Sequence, residues 1–413
     1  LAPDERAEAV GETVGYSIRG ETKRSGGKTR LLLCTTGVLL RRLQCEPDLG
    51  TLSHVFVDEV HERDLNTDFL LIILRRLLAT RPTLHLVLMS ATVNAELFRD
   101  YFGAFAPKIV QVPGRAYPVE ARFLEDALEA THFVVDPRSD CAVGNARRRR
   151  RQESSSAFAS LTKRQWTQRL PTYREETHLA LAGLDPQVVN YDLIVALCER
   201  IHDGTVPEPP PTAQKKASHN SSSSSLGAIL VFLPGIMEIA SLVEKLRAAF
   251  HDQKGGGVQI HALHSALSAQ EQRAVFLRPP RGQRKIIVST NIAETSITID
   301  DVVFCVDAAR VKENRYDADR GMATLEEVWV SRAAARQRRG RAGRVQPGIA
   351  YHLVTRQQHD STEFDDYPQP EMLRTSLDQL VLQILVLDLG DPQTFLAQAV
   401  DPPSRAAVDR ALD

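Results

Sequence analysis

The 413-residue sequence is first narrowed by what it lacks. Its five cysteines, Cys34, Cys45, Cys141, Cys198 and Cys305, are widely spaced, with no CxxC pair and no His/Cys cluster at zinc-ligand spacing. This excludes a disulfide scaffold and argues for a reducing, intracellular setting, cytoplasmic or nuclear. Long apolar runs are also missing. The longest, Phe69 to Leu74, is stopped by Arg75 and Arg76, well short of the ~20 residues that cross a bilayer. There is no apolar signal core and no initiator methionine, and the start reads as mid-pattern, so the chain is expected to be a fragment cut at both ends. An excess of one charge is absent too: 51 Lys and Arg stand against 52 Asp and Glu. Any nucleic-acid site must then be a local basic surface rather than a global field.

Hydrophobic residues at 43% and charged residues at 25% are ordinary for a folded chain of two or three domains. From Leu31 to Ala91, short β-rich runs (LLLC, HVFV, LHLVLM) alternate with amphipathic stretches (TTGVLLRRL, TDFLLIILRRLLATRP). A second alternation begins at Ala228 with AILVF, GIMEIASLVEKLRAAF, VQIHALH, KIIVST and VVFCVD. Both read as βαβ units around parallel sheets, giving an α/β fold. Between them lie five arginines, Arg147 to Arg151, and five serines, Ser221 to Ser225. These look like insertions flanking one helical piece, VVNYDLIVALCERIHDG. The arginine run fits a solvated loop better than a binding patch.

The strongest local signal is Asp58-Glu59-Val60-His61 at the end of the apolar run HVFV. A strand ending in two carboxylates can hold a hydrated Mg²⁺ with the first and orient an attacking water with the second. Alone, such a pair fits a strand-terminating surface turn better. It is accompanied by Ser90-Ala91-Thr92 after the next strand and by Gln337-Arg338-Arg339-Gly340-Arg341-Ala342-Gly343-Arg344. Arginines three apart share a helix face and suit the charge of phosphoryl transfer.

The ordered set LLLCTTGVLLRRL, DEVHER, SAT, ILVFLPG, LHSALSAQEQ, STNIAETSITID and QRRGRAGR resembles the DEAH/RHA-type RNA helicases of superfamily 2, in particular the animal subgroup with DEVH. The resemblance implies two RecA-like parallel-sheet domains of the P-loop NTPase type, followed by the start of a winged-helix unit. The expected division is a first RecA-like domain over 1–118, a linker over 119–226, a second over 227–364 and the winged-helix start over 365–413. ATP and Mg²⁺ are the implied cofactors and single-stranded RNA the implied partner.

By the same resemblance, Asp58 and Glu59 serve the metal and the hydrolytic water, and His61 couples the nucleotide site to the second domain. Ser90 and Thr92 link hydrolysis to domain movement. Gln337, Arg341 and Arg344 reach the γ-phosphate. Ser296, Thr298 and Asp300 line the nucleotide, and Phe276 either stacks on adenine or is a core residue of an amphipathic helix. Arg19, Thr35, Thr36, Gly37, Thr290 and Asn291 contact the RNA backbone, a task for hydroxyls and amides that read no base. The function implied is RNA translocation and unwinding driven by ATP hydrolysis. A loop-less RNA-binding scaffold and a DNA-directed enzyme are the alternatives.

Two departures stand out. Gly26-Gly27-Lys28-Thr29 imitates the end of a phosphate loop, yet Thr22 occupies the first glycine position and the segment runs into a strand. With no phosphate loop in its 413 residues, the chain is expected to be inactive by itself. Ala309 stands where relatives carry glycine, which is expected to stiffen or re-aim the turn before RVKENRYD.

Overall fold

The computed structural model describes residues 9–91, 95–114, 116–143, 158, 161–209, 226–251, 257–295, 297–317 and 320–412. The arginine and serine runs, Thr92 and Ser296 lie outside these. The chain forms two compact units, one of 1–111, 314–324 and 369–413, the other of 112–313 and 325–368. Among the described residues, no helix is long and apolar enough to cross a membrane.

In the first unit, β1 (Val14–Ile18) lies between β2 (Glu21–Lys23), antiparallel to it, and β3 (Leu31–Cys34), parallel to it. β4 (His54–Val57) and β5 (His85–Leu88) form a separate parallel pair. The GGKT segment is a turn leading into β3, with Gly27 at φ 80° and the Thr29 hydroxyl donated to the Gly11 carbonyl. No helix follows it, so its amides do not form a phosphate cradle. The helix Leu65–Thr80 starts where the Asp64 carboxylate accepts from the Asn66 and Thr67 amides, and it stops just before Pro82. Its apolar run Phe69 to Leu74 is buried on all sides, because Met372, Leu380, Ile384, Phe395 and Leu396 of the C-terminal segment share its core. Burial of each such side chain contributes about 1.5–3 kcal/mol.

The second unit is built on a six-stranded parallel sheet, the α/β architecture expected from the sequence. Its strands are β6 (Val119–Arg122), β7 (Ala228–Phe232), β8 (Val258–Leu263), β9 (Arg284–Ser289), β10 (Val302–Asp307) and, after the hairpin β11 (Arg310–Asp317) and β12 (Met322–Trp329), β13 (Gly348–His352). Their order is β6-β13-β10-β7-β9-β8. β7, β9, β10 and β13 are buried along their whole length, which explains why AILVF, IIV and VVFCV within them read as continuous apolar stretches rather than alternations.

The stretch 119–226 is therefore not a linker, which corrects the expected division. β6 pairs with β13, and the helices Leu124–Thr131 and Tyr191–His202 contribute Ala127, Ile194, Leu197 and Ile201 to the core under the sheet. The four-residue β6 and the seven- to nine-residue helices Leu124–Thr131, Lys163–Arg169 and Glu175–Gly183 carry too little periodicity to be legible.

Ala309 takes the left-handed φ of 57°, a conformation that costs a residue with a Cβ about 1–2 kcal/mol. Glu125, 2% exposed, accepts from the Arg356 amide through Oε1 at 3.1 Å, while Oε2 has no hydrogen-bond partner among the described residues. Burial pushes its carboxyl up from 4.5 to about 7. The folded state thus binds the proton more tightly than the unfolded chain, and stability falls as pH rises from about 4.5 to about 7. Glu125→Gln is expected to match the parent near pH 4.5 and to exceed it by about 2–3 kcal/mol at pH 8. Urea titrations at the two pH values check this, and equal gains at both would contradict it.

Candidate functional site

Asp58 and Glu59 emerge from the end of β4 beside the end of β5. The ladder between these strands continues past them: the Met89 amide donates to the Val57 carbonyl at 2.8 Å and the Val60 amide to the Met89 carbonyl at 3.1 Å. The DEVH turn and the SAT segment are thereby joined by main-chain bonds. Asp58 is exposed and accepts from the Glu59 amide at 2.9 Å. An exposed carboxylate at a strand end fits a hydrated Mg²⁺, which takes one or two carboxylates plus water and substrate phosphate. No cluster of three His, Cys, Asp or Glu able to cage a metal occurs among the described residues.

Glu59 and Arg63 both adopt the left-handed region, at φ 52° and 54°, on either side of the 3₁₀ turn Val60–Glu62. Two such non-glycine residues cost of order 1–3 kcal/mol each and persist only where the surroundings hold them. Arg63, buried, donates to both oxygens of buried Asp68 at 2.8–3.2 Å and pairs with Asp401 at 2.7 Å. Its carbonyl accepts from the Glu371 amide. At the other end, His61 Nδ1 lies 3.4 Å from the Ala91 amide and 3.4 Å from Glu59 Oε2. The imidazole thus lies between the DEVH turn and the SAT segment, within reach of both. Ser90 adjoins this contact; Thr92 lies outside the described residues.

The parallel register Ser17↔Cys34 places Arg19, at the β1–β2 turn, level with Thr35 to Gly37 at the end of β3. Thr35 is the N-cap of the helix Thr36–Cys45, and its hydroxyl caps nothing. Arg19, Thr35 and Gly37 are exposed and Thr36 is half-buried.

The second unit separates its candidates onto two edges of one sheet. Thr290 and Asn291 follow the C-terminal end of β9. Thr298 and Asp300 are exposed just before β10, at the opposite edge. The 3₁₀ turn Arg341–Gly343 is at that same edge, where the Gly343 carbonyl accepts from the Tyr117 amide ahead of β6. A Cβ on Gly343 would come within 2.6 Å of the Tyr117 carbonyl, so only glycine fits there. Phe276 is 49% exposed in a turn beyond the helix Ala269–Ala274, which removes the core-residue reading.

The arginines of QRRGRAGR differ sharply. Arg344 is exposed and Gln337 half-buried. Arg341 is buried and donates to the carbonyls of Ile297, at 3.1 Å, and Glu294, so in this conformation it fixes the loop before Thr298. Arg338, 1% exposed, bonds Asp307 at 2.8 Å and Glu294 at 2.9 Å. Asp307 also meets His352 Nδ1 at 3.1 Å. Burial by itself would raise the Asp307 carboxyl, but Arg338 and His352 hold it well below the usual range. The sequence reading missed this buried network. An acid ending the apolar strand VVFCVD, the same signal that marks Asp58, points to it.

With this geometry in view, comparisons with known proteins show what the chain is similar to. Residues 215–346 match the helicase conserved C-terminal domain. The chain is 42% identical to the human putative ATP-dependent RNA helicase DHX57, aligning over 97% of its own length and 30% of the relative's. It is also 42% identical to the DExH-box ATP-dependent RNA helicase DExH1 of Arabidopsis thaliana, over 99% of this chain and 39% of that protein. Among solved structures, the E. coli DExH-box NTPase HrpB superposes with a TM-score of 0.67 at 28% identity, covering 98% of this chain and 39% of that one. Over nearly its whole length the chain is thus similar to DExH-box (DEAH/RHA) helicases, and it spans 30–39% of the length of these relatives.

Proposed function

We propose that the chain is the segment of an ATP-dependent RNA helicase that carries the hydrolytic carboxylates and the second-domain arginines. The parent protein uses ATP hydrolysis to move along and unwind RNA in an intracellular setting. The observation that carries the reading is the main-chain joint between the DEVH turn and the SAT segment: a hydrolytic carboxylate and a strand-end motif held in one piece suit chemistry that has to be transmitted.

Bound Mg²⁺ would supply charge neutralisation for the phosphates, with Asp58 as its protein ligand and Glu59 a second carboxylate close by. Glu59 orients and deprotonates the attacking water, and its strained backbone fixes the direction of the carboxylate. Arg344 and Gln337 offer donors to the transferred phosphoryl group, and Arg341 joins them once released from its carbonyls. Phe276 presents a ring to the base and Asp300 a carboxylate to the sugar, with Thr298 a further contact; Ser296, the remaining candidate, lies outside the described residues. Arg19, Thr35, Thr36 and Gly37 on one unit and Thr290 and Asn291 on the other take RNA phosphates, which gives binding without sequence preference.

Purified chain 1–413 is expected to leave ATP at background hydrolysis, because its sequence holds no GxxxxGK[ST] motif to supply the amides and lysine of a phosphate loop. Turnover that disappears in Glu59→Gln would overturn this. Reading the transcript upstream of the Leu1 codon tests the helicase itself. An in-frame strand, GxGK[ST] and helix there supports it; a start codon beside Leu1 with no such loop favours the RNA-binding scaffold.

A further inference from the structure

We propose that Lys285 is a positioning residue for the nucleobase half of the site, setting the presentation of Phe276 and tying it to the segment that bears Asp300. This rests on the reading of Phe276 and Asp300 as nucleotide contacts. Lys285 sits on β9 with its side chain wholly buried. Its ammonium has three N–H donors and no acceptor, and all three are placed: on the Val275 carbonyl at 2.7 Å, the Leu277 carbonyl at 3.1 Å and Asp301 Oδ1 at 2.9 Å.

Val275 and Leu277 are the two neighbours of Phe276, whose own amide donates to the Arg273 carbonyl at 3.2 Å. The peptide units on both sides of the ring are thus fixed to a central strand. The ring itself is half-exposed and belongs to no core cluster among the described residues. A buried cation is costly to desolvate and an apolar side chain of similar length would bury more easily. What the cation adds is the three-way tie: a turn that displays a ring, a strand of the core, and Asp301 next to exposed Asp300. Stacking on a base depends on ring orientation as well as ring presence, so releasing the two carbonyls should loosen base binding even with Phe276 unchanged.

The test is photolabelling of the 413-residue chain by 8-azido-ATP, with the label mapped by mass spectrometry. The expected result is label within 273–281 that excess ATP removes and inorganic triphosphate does not, and that Phe276→Ala abolishes. Lys285→Met is expected to lower this label roughly tenfold, while Lys285→Arg, which keeps the charge and the donors, retains most of it. Full labelling in a folded Lys285→Met chain overturns the positioning role but leaves the base-binding reading intact. No adenine-specific label in the parent chain overturns that reading, and this inference with it. Should Lys285→Met fail to melt cooperatively, Asp301→Asn decides: reduced label supports the tie, and unchanged label overturns it.

Discussion

Arg338→Met is expected to lower folding stability by about 3–5 kcal/mol, the cost of stranding buried charge. Arg338 is almost fully enclosed and bonds both Asp307 and Glu294. Its guanidinium also lies 5.0 Å from the Phe232 ring centre. Removing it leaves Asp307, 0% exposed, with His352 and the Ala309 amide as remaining partners. The second substitution Asp307→Leu in the same chain is expected to restore much of the loss, since replacing both members of a buried pair by apolar groups is far less costly than orphaning one. Denaturant midpoints of the single and double variants measure this. A single-variant loss below about 1 kcal/mol would contradict the network's role.

Glu59→Gln carries the largest expected effect on rate. In a protein that joins this segment to a phosphate loop, it is expected to slow ATP turnover by roughly 10²–10⁴-fold, the usual contribution of a positioned general base. The amide preserves shape and cannot take the proton from water. RNA affinity should change little, because Arg19, Thr35 to Gly37, Thr290 and Asn291 are untouched. RNA-stimulated phosphate release and RNA binding measured on the same preparation check both halves. Comparable loss of both would show that Glu59 supports the fold rather than the chemistry.

The α/β class and the DEVH, SAT and QRRGRAGR motifs were legible because each depends on local pattern: apolar runs of strand length and short functional strings in fixed order. Other features were not, for physical reasons. Arg338 and Arg344 are the same residue in one basic string, yet one is enclosed and one exposed; only tertiary burial tells them apart. The antiparallel β2 is three exposed residues, Glu-Thr-Lys, with no apolar face to betray it. β6, four residues long, is a strand because β13 offers it an edge. The left-handed backbone at Glu59 and Arg63 is imposed by contacts from Asp68, Asp401, Glu371 and the SAT segment, none of which a reading of DEVHER alone contains.

The first unit shares one core between Phe69 to Leu74 and residues Met372 to Val408, with the whole of the second unit's sequence between them. On a ribosome, the earlier of these two segments must therefore wait for the later before their shared core can close. Loops of this length raise the entropy that precedes the reward of contact, whereas the second unit can complete its sheet from nearly contiguous chain. A nascent chain paused before about residue 369 would hold a finished second unit beside an unfinished first one, with the helix Leu65–Thr80 still offering its apolar side to chaperones.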